Sequence, residues 1–142
     1  MLVIIVFTDL TQNTDSTGKT PRIIMLDDES AIQKLKMDTF FLKEATLIDN
    51  DILSVIVSYS GGCKKHEFIL ATVSHFTITD SSHQANLLLS HENNGDTCKK
   101  IVKEHLYFDL LPLKERYQQV YGIKASSIVL RLMNGSINYQ FK

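Results

Sequence analysis

The dipeptide Asn134-Gly135 lies between residues 127–133, a mostly apolar run rich in β-branched and aliphatic side chains, and residues 136–141, which alternate polar and apolar side chains. Asn-Gly favours the left-handed backbone that a two-residue hairpin loop requires, and a period of two suits a half-buried strand. The spacing predicts a C-terminal β-hairpin with Ile137, Tyr139 and Phe141 on its apolar face. A chain built on that period must find a second apolar sheet face to cover the first.

Most of the sequence beyond Arg22 supplies such faces. Residues 22–26 read as a short strand. Residues 40–48 and 52–59 flank Asp49-Asn50-Asp51, a turn signal, and predict a second hairpin. In its second arm Leu53, Val55, Val57 and Tyr59 share one face. Ser54 and Ser58 share the other, with Ile52 and Ile56. Residues 66–79, 84–91 and 101–109 continue the pattern, the last with Val102, Leu106 and Phe108 opposite Lys103 and His105. One helix is expected over 111–121, capped by Asp109, with Pro112 in its first turn and Gly122 past its end. Its Leu113, Tyr117, Val120 and Tyr121 form a core-facing stripe. A helical turn or two is expected within 28–36, where Ser30 and Gln33 have capping-box spacing. About seven strands and one crossover helix predict a mainly β chain: an antiparallel β-sandwich of immunoglobulin-like size.

At 142 residues one core is expected. A net charge of -1 gives no basic footprint for nucleic acid. The apolar run from Leu2 to Phe7 is far shorter than the roughly 20 residues of a membrane-spanning helix. That run precedes a polar stretch, Thr8 to Thr20, and fits either a buried strand or the tail of an export signal. Residues 1–20 are therefore expected to be a stub and linker, and residues 21–142 a single sandwich domain.

Both cysteines keep unusual company. Tyr59-Ser-Gly-Gly-Cys-Lys-Lys-His-Glu-Phe68 and Leu89-Ser-His-Glu-Asn-Asn-Gly-Asp-Thr-Cys98 each leave a strand and each supply one cysteine and one histidine. Strand parity turns His66 and His91 inward, where a polar ring must find a partner. Several readings are open. A Cys63–Cys98 disulfide would close a loop of about 35 residues and contribute roughly 3–4 kcal/mol. Cys63, His66, His91 and Cys98 also form a zinc-type Cys2His2 set. Cys63 beside His66 or His91, with Asp96 as orienter, is the cast of a thiol nucleophile. Two unrelated, buried, reduced cysteines complete the range. An even cysteine count and an export-like start favour the disulfide.

Other motifs fail on spacing. Gly18-Lys19-Thr20 lacks the first glycine of a phosphate loop, since position 13 is Asn13, and Pro21 follows it. His66-Glu67 and His91-Glu92 lack the second histidine of a zincin helix, the position being Leu70 or Gly95. Asn93-Asn94-Gly95-Asp96 departs from the calcium-hand order and reads as a polar turn. Asn134-Gly135-Ser136, a formal glycosylation acceptor, is explained as a turn. His75, His83 and His105 are expected to be solvated or hydrogen-bonded.

The two cysteine segments, with Phe108-Asp-Leu-Leu-Pro-Leu113, resemble a recurrent set in a family of bacterial exported or lipoprotein-like domains, over residues 51–141. The resemblance implies an exported single domain and carries no established activity. No cysteine stands in the N-terminal stub to be acylated, so the sequence departs there from a lipid-anchored pattern. Together the residues lead to a non-enzymatic exported binding or structural module, stapled by Cys63–Cys98, with a protein or cell-envelope partner. A zinc-binding protein is the alternative and a thiol-dependent enzyme the third reading. Zinc, in the second reading, is the one cofactor expected.

Overall fold

The computed structural model describes residues 20–133 and 135–141. The apolar stub, most of the polar linker with Gly18 and Lys19, and Asn134 of the expected turn lie outside them. Strands occupy 53% of the described residues against 12% helix, so the fold is mainly β as the alternation predicts. In chain order the elements are β1 (Ile24–Leu26), α1 (Glu29–Ile32), β2 (Phe41–Ile48), β3 (Ile52–Gly61), β4 (Glu67–Val73), β5 (Thr77–Ile78), β6 (His83–Glu92), β7 (Lys100–Asp109), α2 (Leu111–Tyr121), β8 (Ser127–Leu132) and β9 (Gly135–Gln140).

Two sheets form. One has the order β2-β3-β7, wholly antiparallel. The other runs β1-β4-β6-β8-β9, with β5 also on β6. Two of its pairings, β1 with β4 and β6 with β8, are parallel. The sandwich is thus largely, not entirely, antiparallel. Parallel neighbours need a crossover: β1 reaches β4 through α1, β2 and β3, and β6 reaches β8 through β7 and α2.

The core lies between the sheets. Leu53, Val55, Val57 and Tyr59 of β3 are buried as their parity predicts, facing Leu87 and Leu89 of β6, Leu130 and Leu132 of β8, and Tyr139 of β9 within one cluster. Burying such side chains contributes about 1.5–3 kcal/mol each. The Tyr139 hydroxyl, brought inside with its ring, donates to Asp51 Oδ1 at 2.5 Å. Burial and that carboxylate push the Tyr139 hydroxyl upward from its ordinary range.

The helices depart from expectation in detail. α2 keeps the predicted bounds; Asp109 Oδ1 accepts the Leu111 N–H at 2.9 Å, and Gly122 follows at φ 97°. Only Leu113 and Tyr117 of its stripe are buried, while Val120 and Tyr121 are substantially exposed. α1 is a second helix of a single turn. It is capped by Asp28, whose carboxylate accepts from Ser30 and Ala31, rather than by Ser30. The C-terminal hairpin pairs Leu132 with Gly135, so Gly135 opens β9 instead of standing in the loop as predicted, and Met133 takes φ 54°.

Candidate functional site

The chain leaves the β2-β3-β7 sheet at the end of β3, passes through β4, β5 and β6 of the opposite sheet, and returns at β7. Cys63 and Cys98 stand at those two crossing points, just beyond the Gly61–Lys100 pair that ends the β3–β7 ladder. They form a disulfide with Cα atoms 5.9 Å apart. The disulfide reading of the cysteine pair is the one the structure carries, and the described residues contain no free cysteine.

Immediately inside the disulfide lies a chain of polar side chains. Asp96 Oδ2 is 2.9 Å from His66 Nε2, His66 Nδ1 is 2.9 Å from His91 Nε2, and His91 Nδ1 is 3.0 Å from the Asp38 carbonyl oxygen. Both rings are buried, as strand parity predicts. Aromatic planes sandwich them: Tyr59 stacks on His66 at 4.2 Å and Phe68 on His91 at 4.4 Å. Asp96 also accepts backbone N–H bonds from Cys63 and Lys64 on Oδ2 and from Cys98 on Oδ1. The His66 hydrogen bond, helped by those N–H groups and opposed by burial, holds the Asp96 carboxyl well below its ordinary range.

A hydrogen count follows from the geometry. The Asp38 carbonyl and the Asp96 carboxylate are acceptors only, so the chain's three bonds require three ring hydrogens. Two neutral imidazoles carry two. The complete chain therefore holds one further proton, matched by the negative charge of Asp96.

The glycines before Cys63 make room for this arrangement. A Cβ on Gly61 would stand 2.7 Å from His66 Nε2 and 2.9 Å from Asp96 Oδ2, and Gly62 takes φ 106°. The turn through Asn94 and Gly95, at φ 55° and 74°, aims Asp96 inward. The sequence reading missed Asp38, which arrives on a segment lying alongside His91 through a parallel bridge at Met37. It also missed the ring-stacking role of Phe68 and of Tyr59, whose hydroxyl donates to Glu104 Oε1 at 2.6 Å. Parity marked Tyr59 and Phe68 as inward-facing; nothing local marked Asp38.

Among the described residues, ligand atoms of Cys63, Asp96 and Cys98 lie within 4.8 Å of one another, a grouping that includes neither histidine. His83 Nδ1 meets the Tyr117 hydroxyl at 2.7 Å, and His105 Nε2 meets Ser54 Oγ at 2.6 Å on the outer face of the three-stranded sheet. A groove of about 390 Å³ opens elsewhere, between β2 and β9, lined by Phe41, Leu42, Ala45, Met133 and Ile137.

No protein-family model and no curated protein matches the chain. Solved structures do. A NigD-like immunity protein from Bacteroides caccae ATCC 43185 superposes with a TM-score of 0.58 at 20% identity, covering 84% of this chain and 57% of its own. A protein of unknown function, DUF1344, from Bacteroides vulgatus ATCC 8482 superposes with a TM-score of 0.50 at 18% identity, covering 87% and 56%. These likenesses are of fold, and the chain spans little more than half the length of either protein.

Proposed function

We propose that the chain is a non-catalytic, exported module that acts by binding a protein partner, with residues 21–142 as one disulfide-stapled domain. The observation that carries this reading is the closure of the Cys/His cluster. Both sulfurs bond each other, and every ring nitrogen of His66 and His91 is engaged inside the protein. A polar network satisfied throughout stiffens a fold and has no donor left for a substrate. A disulfide in a small domain supports export to an oxidising compartment.

The fold likeness to an immunity protein supports a protein as the partner. So does the outer face of the β2-β3-β7 sheet. Ladder register places Phe41, Ile101 and Tyr107 there, each exposed, around the half-buried Ile56. Apolar and aromatic side chains gathered on one solvent face mark interaction surfaces. The test is a photoreactive side chain at position 101 of the full-length protein in its native cells. The reading expects a covalent adduct to one defined protein, lost when Phe41 and Tyr107 are both changed to Lys. Absence of any adduct would overturn the binding role. Recovery of reduced cysteines after acid quenching and alkylation would overturn export.

A further inference from the structure

We propose that reduction of the Cys63–Cys98 bond converts this staple into a site for a thiophilic divalent cation of the zinc type, held by both sulfurs and an Asp96 carboxylate oxygen. The three ligand atoms already lie within 4.8 Å of one another. A tetrahedral ion with zinc-like bond lengths gathers its donors ~3.3–3.8 Å apart, so small side-chain movements suffice once the sulfurs separate. Asp96 Oδ1 accepts one N–H, from Cys98, and a carboxylate oxygen has capacity for a second partner. Asp96 Oδ2 is fixed by His66, which is backed by His91 and the Asp38 carbonyl. A ligating carboxylate held from behind by hydrogen bonds is what orients a metal site. In this arrangement the histidines position the ligand and are not ligands themselves.

Charge and access agree. Two thiolates and a carboxylate bring three negative charges against two positive ones, and each cysteine is followed directly by two lysines, Lys64-Lys65 and Lys99-Lys100. Those cations favour the thiolates and offset the remaining negative charge. Cys63 is exposed and Cys98 half-buried, so a reductant reaches the bond. A dithiol reductant supplies two electrons and two protons: the S–S bond breaks, Cys63 and Cys98 become thiols, and the dithiol becomes a disulfide. Cation binding then releases both thiol protons to solvent. Three protein donors leave a fourth position for water or an exogenous ligand. This inference goes beyond the protein-binding reading, which stands or falls separately on the crosslinking result.

Cobalt titration of the protein, oxidised and after phosphine reduction, tests it. The reduced protein is expected to bind one Co²⁺ with thiolate-to-cobalt charge-transfer absorption, displaced by Zn²⁺; the oxidised protein is expected to show none. Asp96→Asn should weaken binding about ten-fold or more, and His66→Gln by about 10–100-fold with the absorption shape retained. Reduced wild type binding no tighter than a Cys63→Ser/Cys98→Ser variant would overturn the proposal. So would an unchanged affinity in Asp96→Asn alongside abolition in His66→Gln and His91→Gln, which would make the histidines the ligands. If the reduced chain loses its near-ultraviolet circular dichroism, added Zn²⁺ should restore it, and failure to do so counts against the site.

Discussion

Gly61 leaves no room for a side chain beside the His66–Asp96 pair, and a single methyl group there tests the whole cluster. In Gly61→Ala the new carbon would stand 2.7 Å from His66 Nε2, which must move and give up its bond to Asp96. A loss of about 1–3 kcal/mol in denaturant unfolding is expected from the buried groups left unpaired. The hydrogen count makes a second prediction. Nitrogen-correlated magnetic resonance of the intact protein should find three ring protons shared by His66 and His91, sheltered from exchange, and His91→Gln should reduce that number. Acid supplies a third. The folded Asp96 value lies below its ordinary 3.8, so its contribution is fully present above that pH and is lost as pH falls through it toward the folded value. Asp96→Asn should flatten the dependence of unfolding free energy on pH from about 4 downward. Much of this was legible in the residues themselves: Cys63, Cys98, His66 and His91 all stand together. Asp96 appeared only as an orienter. Asp38 was hidden because its contact is made through a carbonyl from a segment distant in sequence, which no side-chain pattern can announce.

At the scale of elements, period two placed most long strands to within a residue or two, but the expected run 66–79 divides into β4, ending at Val73, and the separate β5, where consecutive buried residues Leu70 to Val73 erase the alternation. α2 was equally readable from Pro112 and Gly122. Short elements were read less fully: β5, of two residues, was not separated from the strand before it, and the turn expected within 28–36 forms as α1 with Asp28 as its cap. The C-terminal hairpin shows local chemistry yielding to register. With Leu130 and Leu132 held in the core, Leu132 pairs with Gly135, and Met133 is pushed to φ 54°, where a side chain is disfavoured. Met133 is largely exposed, so Met133→Gly should relieve that conformation without loss of packing. A gain of up to about 1 kcal/mol in thermal unfolding is expected, since left-handed backbone costs a side chain roughly that much.

The arrangement of the whole molecule was the least legible part. Two facing sheets follow from the count of amphipathic strands. The parallel pairings of β1 with β4 and β6 with β8 join strands separated in sequence, and each pairing depends on packing that forms only in the assembled sandwich. Cys63 and Cys98 fix the one excursion between sheets that the β3–β7 ladder encloses. Cys63→Ser with Cys98→Ser should cost about 3–4 kcal/mol of stability, read as a fall in unfolding midpoint on the order of 10 °C. The same closure has a consequence for proteolysis. The bend after β5, at Thr79 to Ser81, is exposed and lies inside the disulfide loop. A protease cutting there releases no fragment: the nicked chain keeps its mass apart from one added water, travels as one band until reductant is present, and only then separates into two.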